Sequence, residues 1–208
     1  MLRIAVLVSG GGSNLQSVID EVNNGNLDCE IKYVISDSEK AYGLERAKNN
    51  GIETAVFDRK IYKKEISDKI LEFIDGKVDL IVLAGYLSIL DGEILRAFRN
   101  RIINIHPSLI PSFSGAGMYG IHVHEAAVKK GVRFSGCTVH FVNEEVDGGE
   151  ILLQEVVPVL QEDTADTLQQ RVLVQEHKLL PQAIKLISEG KVKIENGRCY
   201  ILNNKEDN

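Results

Sequence analysis

The sequence predicts an α/β fold, a mostly parallel open twisted sheet flanked by helices, with β-rich additions in its C-terminal half. Three observations predict it. Short apolar runs alternate with amphipathic stretches about every 25 residues, the rhythm of a parallel sheet covered by helices. Leu80–Ala84 is apolar throughout, as a strand buried on both faces must be. A glycine-rich turn, Ser9-Gly10-Gly11-Gly12-Ser13-Asn14, separates the first apolar run from the first amphipathic stretch.

The elements follow in order. Leu2–Val8 reads as a buried strand and Leu15–Val22 as an amphipathic helix. Ile31–Ser36 is a strand, and Tyr42–Asn50 a helix closed by Asn49-Asn50-Gly51. Glu53–Phe57 is a short strand and Tyr62–Ile74 a charged amphipathic helix. After Leu80–Ala84 come a helix over Gly92–Phe98 and a strand over Arg101–Ile105. Ser112–Gly120 is a glycine-rich loop and His122–Lys130 a helix. Ser135–Val142 and Ile151–Val159 are β-rich. Thr164–Ser188 is a long helix that Pro181 is expected to bend or divide. Lys191–Glu195 and Arg198–Leu202, turning at Asn196-Gly197, read as a hairpin adding an edge pair. The expected organisation is one domain over 1–202, with a phosphate- or nucleotide-binding half at 1–100, a catalytic half at 101–190 and a disordered tail at 203–208.

Bulk properties narrow the function. The chain has 208 residues, 44% hydrophobic and 26% charged, which is the balance of a soluble globular protein. A net charge of -6 argues against nucleic-acid binding, which draws on clustered Lys and Arg. Cys29, Cys137 and Cys199 show neither disulfide nor metal spacing, so reduced thiols in a cytoplasmic protein are expected. The N-terminal apolar run is too short to span a membrane and lacks a cleavage region. His122 and His124 lack a third ligand at a convincing spacing, so no metal is expected.

Ile103-Asn104-Ile105-His106-Pro107 carries the sharpest chemical signal. Residues two apart on a strand share a face, so Asn104 and His106 stand side by side at a strand end. An amide donor beside an imidazole can stabilise and protonate a growing oxyanion, and a carboxylate such as Asp147 can tune the ring. The two prolines that follow are expected to stiffen the loop. Each residue also has a plain structural role: a turn residue, a satisfied histidine, the start of an Asp-Gly-Gly turn. The Ser9–Asn14 turn is not a P-loop, because no Lys-Ser/Thr follows. It also departs from GxGxxG, because Leu15 replaces the third glycine. What remains is a phosphate monoester cradle or a tight turn capped by Ser or Asn.

Six segments occur in an order that resembles the phosphoribosylglycinamide formyltransferases. They are Ser9–Asn14, Leu83-Ala84-Gly85-Tyr86, Asn104–Leu109, Thr138–Val142, Asp147-Gly148-Gly149 and Gln175-Glu176-His177, and the likeness runs to about Ile187. The resemblance implies a Rossmann-like formyltransferase fold and two small-molecule substrates, 5'-phosphoribosylglycinamide (GAR) and 10-formyltetrahydrofolate. It implies catalytic roles for Asn104, His106 and Asp147, with Asp147 raising the pKa of His106. It implies GAR contacts at Gly12, Ser13, Asn14 and Glu176. Folate contacts would fall at Leu87, Ser88, Ile89, Leu90, Asn104 and Val142, the last within a pocket wall formed by Val142–Asp147. Two departures stand out. The loop Ser112–Gly120 is longer than in some members, and Lys60 is the nearest match for an arginine that meets the folate tail.

The resemblance implies neither metal, nucleic acid nor membrane, and a monomer or homodimer. The nearest alternative is a formyltetrahydrofolate hydrolase; a strand starting at Leu2 is expected to leave out its N-terminal regulatory domain. Methionyl-tRNA formyltransferase is disfavoured by the acidic chain ending at Asn208. A silent folate- or nucleotide-binding module and a nicotinamide oxidoreductase are more distant options.

Overall fold

Strand β1 (Leu2–Val8) is the centre from which the sheet grows. The structure, a computed structural model, describes residues 1–202, and the tail expected at 203–208 lies outside the described residues. Ile4, Val6 and Val8 pack into one hydrophobic layer and Ala5 and Leu7 into another, and all are fully buried. A strand with two apolar faces needs cover on both sides. Leu15, Val18 and Ile19 of α1 (Ser13–Asn23), Leu44 and Ala47 of α2 (Tyr42–Asn49) and Val172, Leu180 and Ile184 of α7 (Ala165–Ser188) supply the first layer. Ile66, Ile70 and Ile74 of α4 (Ile66–Ile74) and Ile94 and Leu95 of α5 (Glu93–Ala97) supply the second.

The sheet runs β3 (Glu53–Val56), β2 (Cys29–Ser36), β1, β4 (Leu80–Leu83), β5 (Ile102–His106), β6 (Phe134–Phe141), β7 (Ile151–Pro158). The pairings from β3 to β5 are parallel, and the last two are antiparallel. The chain leaves β1 toward β2 and β3, then returns to β4 on the other side of β1. The strand order therefore reverses between β1 and β4, where an open α/β sheet offers a crevice at its carboxyl edge. The register Leu7↔Leu83 and Leu83↔Asn104 brings the Ser9–Asn14 turn, the Gly85–Leu90 segment and the end of β5 to one rim.

Three elements depart from the sequence reading. The helix expected over Tyr62–Ile74 is α3 (Arg59–Tyr62), a 3₁₀ turn at Lys63–Glu65, and then α4. Asp58 starts α3 by accepting from the Lys60 amide, and Lys63 at φ 48 interrupts the helical path. Pro181 does not divide α7, which continues to Ser188. The proline removes one backbone hydrogen bond, while buried Leu179, Leu180, Ala183 and Ile184 hold the helix against the sheet. The C-terminal hairpin, β8 (Val192–Glu195) with β9 (Arg198–Ile201), forms a two-stranded sheet of its own instead of extending the main one. Asn196 and Gly197 both take positive φ, as a two-residue hairpin turn demands. Helix α6 (Ile121–Lys130) completes the set. No helix among the described residues is long and apolar enough to cross a membrane.

The start of α7 has its own electrostatic anchor. Asp163 accepts from Arg171 Nη1 and Nη2 at 2.6 and 2.8 Å and from the Leu160 amide at 2.7 Å. The Arg171 hydrogen bonds, opposed by burial, hold the Asp163 carboxyl well below the usual carboxylate range. A depressed carboxylate gives stability that is present above its unfolded pKa and lost as pH falls toward the folded one. Asp163→Asn should lower the unfolding free energy at neutral pH by about 1–2 kcal/mol, a pair partly screened by solvent. In urea titrations the gap to the parent should narrow below about pH 4; a gap unchanged in acid would refute the assignment.

Candidate active site

β5 turns its residues to opposite layers. Ile103 and Ile105 pack with the α1 and α7 layer and Ile102 with the α4 and α5 layer. Asn104 and His106 therefore share the face of Ile102, as their spacing predicts, and emerge at the carboxyl rim. Strand β6 lies opposite in the register Asn104↔His140 and His106↔Thr138. The loop after His106 is tied to this strand. Thr138 Oγ1 donates to the Ser108 carbonyl at 2.6 Å and accepts from the Ile110 amide at 3.1 Å. Gln154 Nε2 on β7 donates to the Ile110 carbonyl and to Thr138 Oγ1, each at 3.0 Å. Hydrogen bonds from two neighbouring strands thus fix the loop that was expected to rely on its prolines.

Asp147 reaches the same spot from the turn after β6. Its backbone takes φ 57, a left-handed conformation that Asp tolerates better than most residues. Its Oδ2 lies 3.5 Å from His106 Nδ1 and accepts from the Gly115 amide at 2.9 Å, and its Oδ1 lies 3.6 Å from His140 Nε2. Burial pushes the Asp147 carboxyl up, but the two imidazoles and the Gly115 amide outweigh it and hold the group below the usual carboxylate range. The expected upward shift of His106 does not prevail. Burial lowers its pKa, and the opposing pull of Asp147 and the Phe113 carbonyl is smaller. His106 is only 4% exposed, and desolvation penalises the imidazolium more than one carboxylate 3.5 Å away restores it. His106 Nε2 lies 2.9 Å from the Phe113 carbonyl, which can only accept, so this nitrogen donates.

These groups border a cavity of about 290 Å³. Leu87, Ser88, Ile89, Leu90, Asn104 and Val142 line it together with His106, His140 and Asp147. Lys60 does not: it is exposed on α3, away from the lining. The Ser112–Gly120 loop contributes Gly115 through Gly120. Ser9 joins the cavity wall to the glycine-rich turn, its Oγ accepting from the Leu87 amide at 2.8 Å and its own amide donating to the Gly85 carbonyl at 3.0 Å.

In the glycine-rich turn, Gly12 is the N-cap of α1 at φ 68, with no side-chain cap bond. The Ser or Asn cap allowed by the sequence is therefore absent. The first amides of α1 have no intrahelical acceptor and stand at the positive end of the helix dipole, an arrangement suited to an anion. Gly12 is also sterically required, since a Cβ there would lie 2.7 Å from Gly43 Cα. Asn14 Nδ2 donates to Glu176 Oε2 at 2.6 Å, joining residues 162 positions apart. Asn14 Oδ1 is buried without a partner. Glu176 is 7% exposed, and its burial raises its pKa against the pull of Asn14. His122 and His124 go separate ways: His122 is exposed and 2.9 Å from Glu125, whereas His124 is buried and held near pKa 4 by burial.

The sequence reading did not single out His140, Thr138 and Gln154. The alternation of Thr138-Val139-His140 was a usable signal, because it puts Thr138 and His140 on one strand face. The register that turns this face toward β5 became visible only in three dimensions.

Residues 2–184 match the family described as formyl transferase. The chain is 43% identical over 204 residues to phosphoribosylglycinamide formyltransferase of Haemophilus influenzae, covering 97% of this chain and 94% of that protein. It is 43% identical over 206 residues to the trifunctional purine biosynthetic protein adenosine-3 of Homo sapiens, covering 96% of this chain but only 20% of that much longer protein. The crystal structure of glycinamide ribonucleotide transformylase 1 from Symbiobacterium toebii superposes with a TM-score of 0.92 at 43% identity, covering 98% of this chain and 95% of that one.

The balance at His106 is open to direct measurement. In an NMR titration its ring should protonate below the ordinary value of about 6.5. Asp147→Asn should lower that midpoint further, because the carboxylate is one of the groups holding it up. A midpoint that rises in Asp147→Asn would contradict the arrangement described.

Proposed function

The chain belongs to the formyl transferase family, and from that premise we propose that it transfers the formyl group of 10-formyltetrahydrofolate to the amine of GAR, giving formyl-GAR and tetrahydrofolate in purine biosynthesis. One observation carries this reading: Asn104, His106 and Asp147 converge on an apolar-walled cavity near the uncapped N-terminus of α1 that follows the glycine-rich turn. The cavity suits a flat heteroaromatic co-substrate, with Leu87, Ile89, Leu90 and Val142 as walls and the backbone of Leu87–Leu90 offering polar edges. The first amides of α1, with Gly12, Ser13 and Asn14, hold the phosphate of GAR. Glu176, fixed by Asn14, accepts from the ribose or glycinamide end. Lys60 stands for the cation that meets the folate tail. The reaction is placed in the cytoplasm.

10-Formyltetrahydrofolate supplies the formyl carbon. The GAR amine forms a bond to that carbon, the bond from carbon to the folate nitrogen breaks, and one proton passes from the amine to the departing nitrogen. Asn104 and His106 donate to the formyl oxygen as negative charge grows there, which is where preorganised donors accelerate most. His106 Nε2–H then exchanges its acceptor, from the Phe113 carbonyl in the free protein to the formyl oxygen. Asp147, ionised and fixed by the Gly115 amide, stabilises the ring whenever it gains positive charge. A neutral ring before the reaction can both donate and take up a proton, so the lowered pKa of His106 serves this role.

The deciding assay follows tetrahydrofolate release with and without GAR. Release that requires GAR is expected; release without it would make the protein a hydrolase. Asn104→Ala should lower kcat by roughly 10²–10³ with KM little changed, the usual cost of one oxyanion donor. Normal turnover in that variant would remove Asn104 from the chemistry. Ser13→Ala should instead raise KM for GAR while kcat holds, and a purely catalytic loss would argue against the phosphate site.

A further inference from the structure

The amide of Asn104 can present either of two chemically opposite ends to the cavity, and its own backbone does not choose between them. Its neighbour on β6 does. His140 stands opposite Asn104 in the strand register and is 2% exposed. Its Nδ1 lies 2.8 Å from the Phe141 carbonyl oxygen. That oxygen only accepts, so Nδ1 carries a proton. In the neutral ring Nε2 is then a lone pair, and it lies 3.1 Å from Asn104 Nδ2. Asp147 Oδ1 lies at 3.6 Å, outside hydrogen-bond distance, and as an acceptor it can engage Nε2 only when the ring is doubly protonated. The amide nitrogen of Asn104 is thus the group that satisfies Nε2. Its second N–H has no hydrogen-bond partner among the described residues, and Asn104 lines the cavity.

We propose that His140 is a positioning residue whose Nε2 locks the Asn104 amide with its nitrogen toward the reacting formyl oxygen. Reversal of the ring tautomer would turn the carbonyl end of Asn104 toward His140 and withdraw the donor from the reaction. Gly149 belongs to the same device. A Cβ at this position would collide with the Phe141 carbonyl oxygen, the atom that sets the tautomer. The Asp147-Gly148-Gly149 turn therefore places the carboxylate and also leaves that carbonyl free to accept. The inference rests on Asn104 being the oxyanion donor of the proposed reaction.

Two measurements test it on the full chain. The ¹⁵N NMR spectrum of the parent protein near neutral pH should show His140 protonated on Nδ1 and unprotonated on Nε2. A ring carrying its proton on Nε2, or on both nitrogens, overturns the proposal without any variant. Steady-state kinetics then compare His140→Leu, His140→Gln, Asn104→Ala and the double variant Asn104→Ala/His140→Leu. His140→Leu should lose roughly 10²-fold in kcat, with both KM values nearly unchanged, because a donor out of place costs about as much as a donor lost. His140→Gln keeps an acceptor for Nδ2 and should recover most of that loss. In the Asn104→Ala background the leucine should cost nothing further, since it acts through the amide. An equal loss in both backgrounds, or no recovery with glutamine, overturns the positioning role while leaving Asn104 as donor. Full turnover in Asn104→Ala sinks the oxyanion reading itself, so the two failures are distinguishable. If His140→Leu fails to fold, the NMR spectrum and His140→Gln still decide.

Discussion

The antiparallel pairing of β5 with β6 is the constraint on which the site depends. Up to β5 the sheet is parallel, and its rim collects loops as any open α/β sheet does. At β6 the direction reverses, so a second strand presents side chains to the same rim in fixed opposition. Asn104 meets His140 and His106 meets Thr138 because the register allows no other partners. A slip of one residue would set Asn104 against Val139 or Phe141 and His106 against Cys137 or Val139, and bury the polar set in the apolar layer. The fully buried Val139 and nearly buried Phe141 guard against that slip. The hydrophobic packing of one face thereby enforces the chemistry of the other.

Within that frame, a small polar cluster is kept inside apolar walls, and its protonation states follow from the competition between burial and charge. Asp147 accepts from a backbone amide and lies 3.5 and 3.6 Å from two imidazoles, and together these hold its carboxyl down despite its burial. His106 has one carboxylate at 3.5 Å and one carbonyl, and these do not overcome its desolvation. In the proposed reaction the asymmetry is useful. A permanently charged His106 would have given up its capacity to take a proton, and a neutral Asp147 could not answer the charge that develops on the ring.

How much of this could be read from the sequence depends on range. The strand pattern, the shared face of Asn104 and His106 and the glycine-rich turn are local properties, and period-2 and period-3.6 patterning carries them. The break at Lys63 was not legible, because a lysine at φ 48 leaves no compositional trace. The uninterrupted α7 defied Pro181 because tertiary packing outweighs one lost hydrogen bond. The role of His140 and the burial that outweighs the upward pull of Asp147 on His106 share one reason for being illegible. Each depends on what surrounds a ring in space, and neither a register between strands 36 residues apart nor a depth of burial is written in the neighbouring residues. The resemblance supplied Glu176, and it decided Asp147, which the residues alone left open between a tuning carboxylate and a turn residue.

The oxyanion donors proposed for this site would not themselves distinguish an amine from water, since both attack the same carbon and load the same oxygen. Selectivity must come from the acceptor side of the site, and there the structure is strained in favour of a ligand. Asn14 Oδ1 is buried with no partner, and Glu176 is buried with a single hydrogen bond from Asn14. Leaving a buried acceptor such as Asn14 Oδ1 without a partner costs about 1–3 kcal/mol in the free protein. A ligand bearing donors and a phosphate removes that cost, whereas a lone water has too few donors to answer both groups and the helix terminus at once. On the proposed reading, the residues that hold the acceptor also select it: the free protein tolerates their poor satisfaction, and the correct amine is held in place because it relieves it.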